Sequence, residues 1–136
     1  MQDVRWEFSR HSPVADLLAE SIRELSPLDL MHFLLTNDDG IHAEGLLALA
    51  EAIRSVPGSR LTVVAPAAEY SQCGHRVTTH EPILVDRRAE DQFAVHGTPA
   101  DCVRVALFGL GLGPDYVLSG INHGGNLGQD LVISGT

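Results

Sequence analysis

Residues 31–54 read MHFLLTNDDGIHAEGLLALAEAIR, and their texture changes twice. Met31–Thr36 is an apolar run of strand length. The polar turn Asn37-Asp38-Asp39-Gly40 stops it. Leu46, Leu49, Ala50 and Ile53 then recur at i, i+3, i+4 and i+7, which predicts a helix over 43–56 with one buried face. A buried strand feeding an amphipathic helix is half of a strand–helix–strand unit. The other half follows directly: RLTVVAP, residues 60–66, predicts a second buried strand stopped by Pro66.

The same alternation continues. VTTHEPILVD and QFAVHG predict extended segments flanking a polar turn from Asp86 to Asp91, as a hairpin or edge pair. TPADCVRVALFGL opens on Thr98 as N-cap, with Pro99 at the first helical position and Asp101 in the first turn. Val103, Ala106, Leu107 and Leu110 lie on one face, so a second helix is expected. PDYVLSG predicts a third buried strand, and INHGGNLGQDLVISGT reads as glycine-rich loop. Upstream, Ser12 and Pro13 begin a short amphipathic helix with Val14, Leu17, Leu18, Ile22 and Leu25 near helical spacing, ending near Pro27. This divides the chain into an N-terminal extension, 1–30, and a domain, 31–136. Buried strands alternating with amphipathic helices indicate an α/β fold of three layers, with a mostly parallel sheet and right-handed crossovers.

Composition narrows the function. The 136 residues are 44% hydrophobic, with 13 glycines and 7 prolines, an ordinary soluble composition for one domain. Nine basic residues stand against 18 acidic ones, a formal charge of −9. That balance argues against binding a nucleic-acid duplex or an anionic membrane, because nothing basic is concentrated enough to neutralise phosphates. It leaves room for a small phosphorylated ligand held through a metal ion. Cys73 and Cys102 form no CxxC pair and suggest no disulfide framework, so a reducing cytoplasm is expected. The first residues are acidic and polar where a signal peptide needs a long apolar region, so none is expected there, and no run approaches the about 18 apolar residues of a membrane span.

In parallel sheets, ligands bind outside the carboxyl ends of the strands. Three loops occupy such positions: NDDG, AAEYSQCGH and SGINHGGN. Asp38 and Asp39 by themselves fit either a solvated turn or a metal site. Two adjacent carboxylates repel unless a cation compensates, and a hard divalent ion does so through oxygen ligands. Asn122 and Ser71 offer neutral oxygens from the other two loops. In the last loop Gly120, Gly124, Gly125 and Gly128 permit close backbone approach, so that amides can face an anion. Asn126 and the terminal Ser134-Gly135-Thr136 add polar groups. The loop lacks the GK[ST] ending of a Walker loop, no GxGxxG follows the first strand, and there is no GxSxG elbow.

Taken together, LLTNDDGIHAEG, VVAPAAEYSQCGH, HGTPADCVRVAL and SGINHGGNLGQDLVISGT resemble the SurE survival-protein family, in order and over Met31–Thr136. The resemblance implies a Rossmann-like domain and one divalent metal ion, Mg, Mn or Ca. It implies hydrolysis of nucleoside monophosphates to nucleoside and phosphate. Matched position by position, it puts metal ligands at Asp38, Asp39, Ser71 and Asn122 and phosphate contacts at Asn126, Ser134, Gly135 and Thr136. Asp38 and Asp39 are also the candidate catalytic carboxylates. Family members form homo-oligomers and continue well past SGT, so the chain is expected to represent their N-terminal portion. Gln72 stands where the family usually has glycine, and Ile133 where tyrosine is common. A carboxylate at Thr136 would oppose an anion in the adjacent pocket. The competing expectation is therefore a truncated, non-catalytic module that binds metal or nucleotide, or assembles with partners.

The remaining reactive side chains receive lesser roles. His42, His75 and His123 lie in the rim loops and could approach substrate. His32 and His96 are expected to be structural. Cys73 lacks a neighbouring base, Cys102 is a helix residue, and Glu44 suits the first turn of its helix.

Overall fold

The computed structural model describes residues 13–25, 30–69 and 76–123. In chain order the elements are α1 (Pro13–Leu25), β1 (Met31–Thr36), α2 (Glu44–Arg54), β2 (Ser59–Pro66), β3 (Val85–Ala89), β4 (Gln92–Val95), α3 (Pro99–Arg104) and β5 (Tyr116–Ser119). A π-helical turn, Val105–Gly109, continues α3.

The sheet order is β3-β4-β2-β1-β5. β1 runs parallel to β2, with Leu35 opposite Val63, and parallel to β5, with Thr36 opposite Ser119. β4 is parallel to β2, and only β3 is antiparallel, against β4. If the four parallel strands are taken in chain order, they lie third, second, first, fourth. That is the Rossmann order, and it reverses direction between β1 and β5.

Strand periodicity sends alternate side chains of β1 to opposite faces. Phe33 and Leu35 meet Leu46, Leu49, Ala50 and Ile53 of α2, together with Ala19 of α1. Leu34 points the other way, into a second cluster with Val64, Val95, Cys102 and Ala106. Helices thus cover both faces of the sheet, and β1 is buried along its whole length. The expected three-layer, mostly parallel architecture is present.

Four local expectations need correction. The Asp86–Asp91 segment is mostly strand rather than turn, because β3 runs to Ala89 and the hairpin turns at Glu90 and Asp91. Its polar residues are tolerated because β3 is an edge strand facing water, where the Arg87 guanidinium lies 5.8 Å from the Phe93 ring centroid. β5 is not a buried strand. It lies at the edge of the described sheet with Tyr116, Val117 and Ser119 exposed, while Tyr116 stacks on Phe33 at 5.5 Å. The second helix is not one regular helix. Leu110 N–H bonds back to Val105 O at 2.8 Å, and the extra residue in that turn shifts the buried face, so Leu110 turns outward and Ala106 stays in the core. Among the α1 side chains described, Ala19 and, partly, Leu18 face inward, whereas Val14 and Leu17 face water; those of Ile22 and Leu25 lie outside the description.

His32 is buried with its Nε2 2.9 Å from Thr62 Oγ1, and its backbone exchanges hydrogen bonds with Asp115. His96 is exposed, 3.1 Å from Asp86 Oδ2. His32 lies near the start of β1, and His96 follows the carboxyl end of β4, two strands away from β1.

Candidate functional site

β1 ends at Thr36, and the next four residues fold into a tight turn. Asn37 is fully buried. Its Nδ2 donates to Gly40 O at 2.9 Å, and its Oδ1 accepts from Gly40 N–H at 3.2 Å. Gly40 has φ +98°, a backbone conformation that costs any other residue strain. Asp38 and Asp39 sit on the crest of this turn, both half-buried. Ile41 N–H then bonds Pro66 O at 2.8 Å, tying the turn to the end of β2. A Cβ on Gly40 would lie 3.1 Å from Ala68 C and 3.2 Å from Glu69 N, so the turn also rests on the chain leaving β2.

The second wall comes from β5. Gly120 N–H bonds Thr36 O at 3.0 Å, extending the β1–β5 ladder by one bond. Gly45, in the first turn of α2, sits against Ile121; a Cβ there would fall 2.1 Å from the Ile121 carbonyl oxygen. His123 N–H donates to Asp39 Oδ2 at 2.8 Å. Asn122, half-buried, is therefore carried between two fixed points. The aspartate turn and the Gly120–His123 loop meet at the point where the strand order reverses.

The structure thus brings Asp38, Asp39 and the backbone around Asn122 onto one rim. Ser71, Asn126, Ser134, Gly135 and Thr136 lie outside the described residues, as do Cys73 and His75. His42 is exposed beside the turn, and Glu44 is exposed in the first turn of α2.

The chemistry of this donor set fits a hard divalent ion. Two carboxylates and an amide are oxygen donors, the ligands such ions take. Among the described residues no group of three or more His, Cys, Asp or Glu side chains gathers, so the described part of this donor set is the two carboxylates and the Asn122 amide.

Two features escaped the sequence reading. The first is Asn37, whose signal was an asparagine three residues before a glycine, a turn-closing pair. The second is Asp101. It is fully buried and accepts from Thr78 N–H at 2.9 Å, Thr78 Oγ1 at 2.7 Å, Thr98 N–H at 3.1 Å and Arg104 Nη1 at 3.1 Å. Thr98 Oγ1 in turn accepts from Asp101 N–H and donates to Arg76 O. The Thr98–Asp101 pair is a capping box, and it clasps residues 76–78 onto the start of α3. Burial pushes the Asp101 carboxyl pKa up, but hydrogen bonds from Thr78 and Thr98 outweigh it and hold the pKa below its ordinary value.

Beneath the rim, the Cys102 thiol is pushed up to about 12, chiefly by burial. The Thr36 hydroxyl beside it has no well-formed hydrogen bond among the described residues; sulfur is only a weak acceptor for it. A thiol in that state is no nucleophile.

Comparison with known proteins decides the family. The family model described as survival protein SurE matches residues 33–136. The chain belongs to the SurE family. The 5'-nucleotidase SurE of Geobacter sulfurreducens is 51% identical over 107 residues, covering 78% of this chain and 40% of that protein. The 5'-nucleotidase SurE of Geotalea uraniireducens is 50% identical over 107 residues, with 78% and 42% covered. The crystal structure of the SurE protein from Aquifex aeolicus superposes with a TM-score of 0.70 at 45% identity, covering 77% of this chain and 43% of that one. The chain spans less than half the length of these SurE relatives.

Proposed function

We propose that this SurE-family chain carries the metal and phosphate site of a divalent-metal-dependent phosphomonoesterase, which hydrolyses nucleoside monophosphates to nucleoside and phosphate. The observation that supports this reading most is the meeting of the Asp38–Asp39 turn with the Gly120–His123 loop at the sheet's reversal point. Relatives at about half identity are named 5'-nucleotidases, which supports the same reaction class.

In this reading Asp38, Asp39, Ser71 and Asn122 hold one Mg, Mn or Ca ion, and Asn126, Ser134, Gly135 and Thr136 bind the phosphate. A bound divalent ion would supply Lewis-acid polarisation of a phosphoryl oxygen. The protein's own contribution is positional. Asn37 and Gly40 fix the carboxylates, and the His123 amide orients Asp39 by holding one of its oxygens. Asp38 or Asp39 accepts the proton of the attacking water. Backbone amides and hydroxyls of the glycine-rich loop neutralise charge on the transferring group. The substrate is a small nucleotide rather than a duplex, in keeping with the chain's charge of −9. No helix among the described residues is long and apolar enough to cross a membrane. A cytoplasmic location, proposed from the cysteine usage, is part of the same reading. Homo-oligomerisation, and a division into an extension 1–30 and a domain 31–136, belong to the same proposal.

The test is phosphate release from AMP or GMP with added Mn²⁺, comparing the wild type with Asp39→Asn. Metal-dependent release that the substitution abolishes is expected, and unchanged turnover in the variant would sink the assignment. Calorimetric metal binding without release would instead favour a non-catalytic binding module.

A further inference from the structure

We propose that Gly45 is a positioning residue for the metal centre: by carrying no side chain it lets α2 meet the 120–123 loop backbone to backbone, and this contact sets where Asn122 stands relative to Asp38 and Asp39. The inference rests on the metal-site reading above and names a residue outside the ligand set.

The sequence offers no local reason for a glycine here. Gly45 lies in the first turn of an eleven-residue helix, where glycine is a poorer helix former than alanine. The reason is tertiary. A Cβ at this position would lie 2.1 Å from the Ile121 carbonyl oxygen, 3.0 Å from the Ile121 carbonyl carbon and 3.2 Å from its Cβ. The two closest of these atoms are backbone, so no rotamer change relieves the clash.

The helix cannot retreat easily. Leu46, Leu49, Ala50 and Ile53 fix α2 in the core cluster beside Phe33, Leu35 and Val63. The loop must give way instead. Opening the contact from 2.1 Å to the 3.0 Å below which real Cβ atoms are essentially never found moves Ile121 by about 0.9 Å. Ile121 lies between Gly120, bonded to Thr36 O, and His123, bonded to Asp39 Oδ2. Displacing it therefore moves Asn122 and strains the His123 N–H to Asp39 Oδ2 hydrogen bond between the two loops. Oxygen ligands of divalent ions sit at narrowly defined distances, and a shift of this size is large on that scale.

The experiment titrates Mn²⁺ alone, by calorimetry, into the wild type, Gly45→Ala and Leu47→Ala. Leu47 is an exposed residue of the same helix and serves as the control. Gly45→Ala is expected to weaken Mn²⁺ binding by about 10- to 100-fold, the range seen when support beyond the direct ligands is lost, with Leu47→Ala unchanged. Wild-type binding together with equal binding by Gly45→Ala overturns this inference and leaves the metal site standing. Failure of the wild type to bind Mn²⁺ overturns both. Hydrogen exchange of the wild type with and without Mn²⁺ covers the case in which Gly45→Ala does not fold. Peptides spanning residues 44–47 and 120–123 are then expected to gain protection together, and a gain confined to 120–123 overturns the coupling.

Discussion

Replacing Asp101 with asparagine tests whether the buried clasp at the start of α3 depends on a carboxylate. The magnitude follows from the donors. Oδ2 receives the Thr78 hydroxyl and the Thr98 N–H, and Oδ1 receives the Thr78 N–H and Arg104 Nη1. An asparagine must place its NH₂ on one of these sides. The cheaper choice is the Oδ2 side, because the Thr78 hydroxyl can rotate and accept. The Thr98 N–H then loses its acceptor in a buried position, and the remaining bonds lose their charge assistance. Together these costs come to roughly 2–4 kcal/mol. Arg104 adds little, because its side chain is half exposed. Urea unfolding at neutral pH, followed by circular dichroism, should show that loss.

The pH dependence supplies a second, independent check. A carboxylate whose folded pKa lies below its unfolded value stabilises the fold fully above the unfolded value, about 3.9 for aspartate. That contribution is lost as pH falls through the folded pKa. The stability difference between wild type and Asp101→Asn should therefore be constant from neutral pH down to about 5 and shrink below about 4. Other carboxylates titrate in both proteins and drop out of the difference. A variant within about 0.5 kcal/mol of wild type at neutral pH, the range of ordinary surface changes, would refute the reasoning. So would a difference that grows on acidification.

Other consequences are more local. Asn37→Ala removes both hydrogen bonds that close the aspartate turn and leaves the buried Gly40 N–H without its acceptor, while the Gly40 carbonyl keeps the Ala43 N–H, so thermal or urea unfolding should show a loss of about 1–3 kcal/mol. Cys102, with its thiol pushed up to about 12 and no exposed surface, should resist alkylation in the native protein at mildly alkaline pH. Peptide mapping after iodoacetamide should find it labelled only once denaturant is added, and native labelling would contradict the burial.

How far the sequence could be read depended on the range of the forces involved. β1, α2 and β2 were legible because each carries its own apolar pattern, and the two strands their own stops at Asn37-Asp38 and at Pro66. Thr98 and Pro99 announced α3 for the same reason. β5 was misread as buried because YVLS looks alike in the middle of a sheet and at its edge; only its neighbours decide. Arg87 and Arg88 looked like turn residues because an edge strand imposes no hydrophobic pattern on its solvent side. The π-helical turn at 105–109 depends on one extra residue per turn, which shows in no short motif. At the site, adjacency made Asp38 and Asp39 conspicuous, and the loop after the third strand pointed to Asn122. Gly45 was invisible, because its partner, Ile121, is 76 residues away and the contact is between backbones. Asp101 was read only as a helix-start residue, since nothing local shows that Thr78 folds back onto it.

The central claim is that the paired aspartates at the β1–β5 reversal hold a divalent ion. The most direct measurement is a Mn²⁺ titration of the wild type and Asp39→Asn, read by calorimetry or by the electron paramagnetic resonance of the bound ion. The account predicts one saturable site in the wild type that Asp39→Asn loses, with its fold intact by circular dichroism. Equal Mn²⁺ binding by both proteins, or none by a folded wild type, would contradict it.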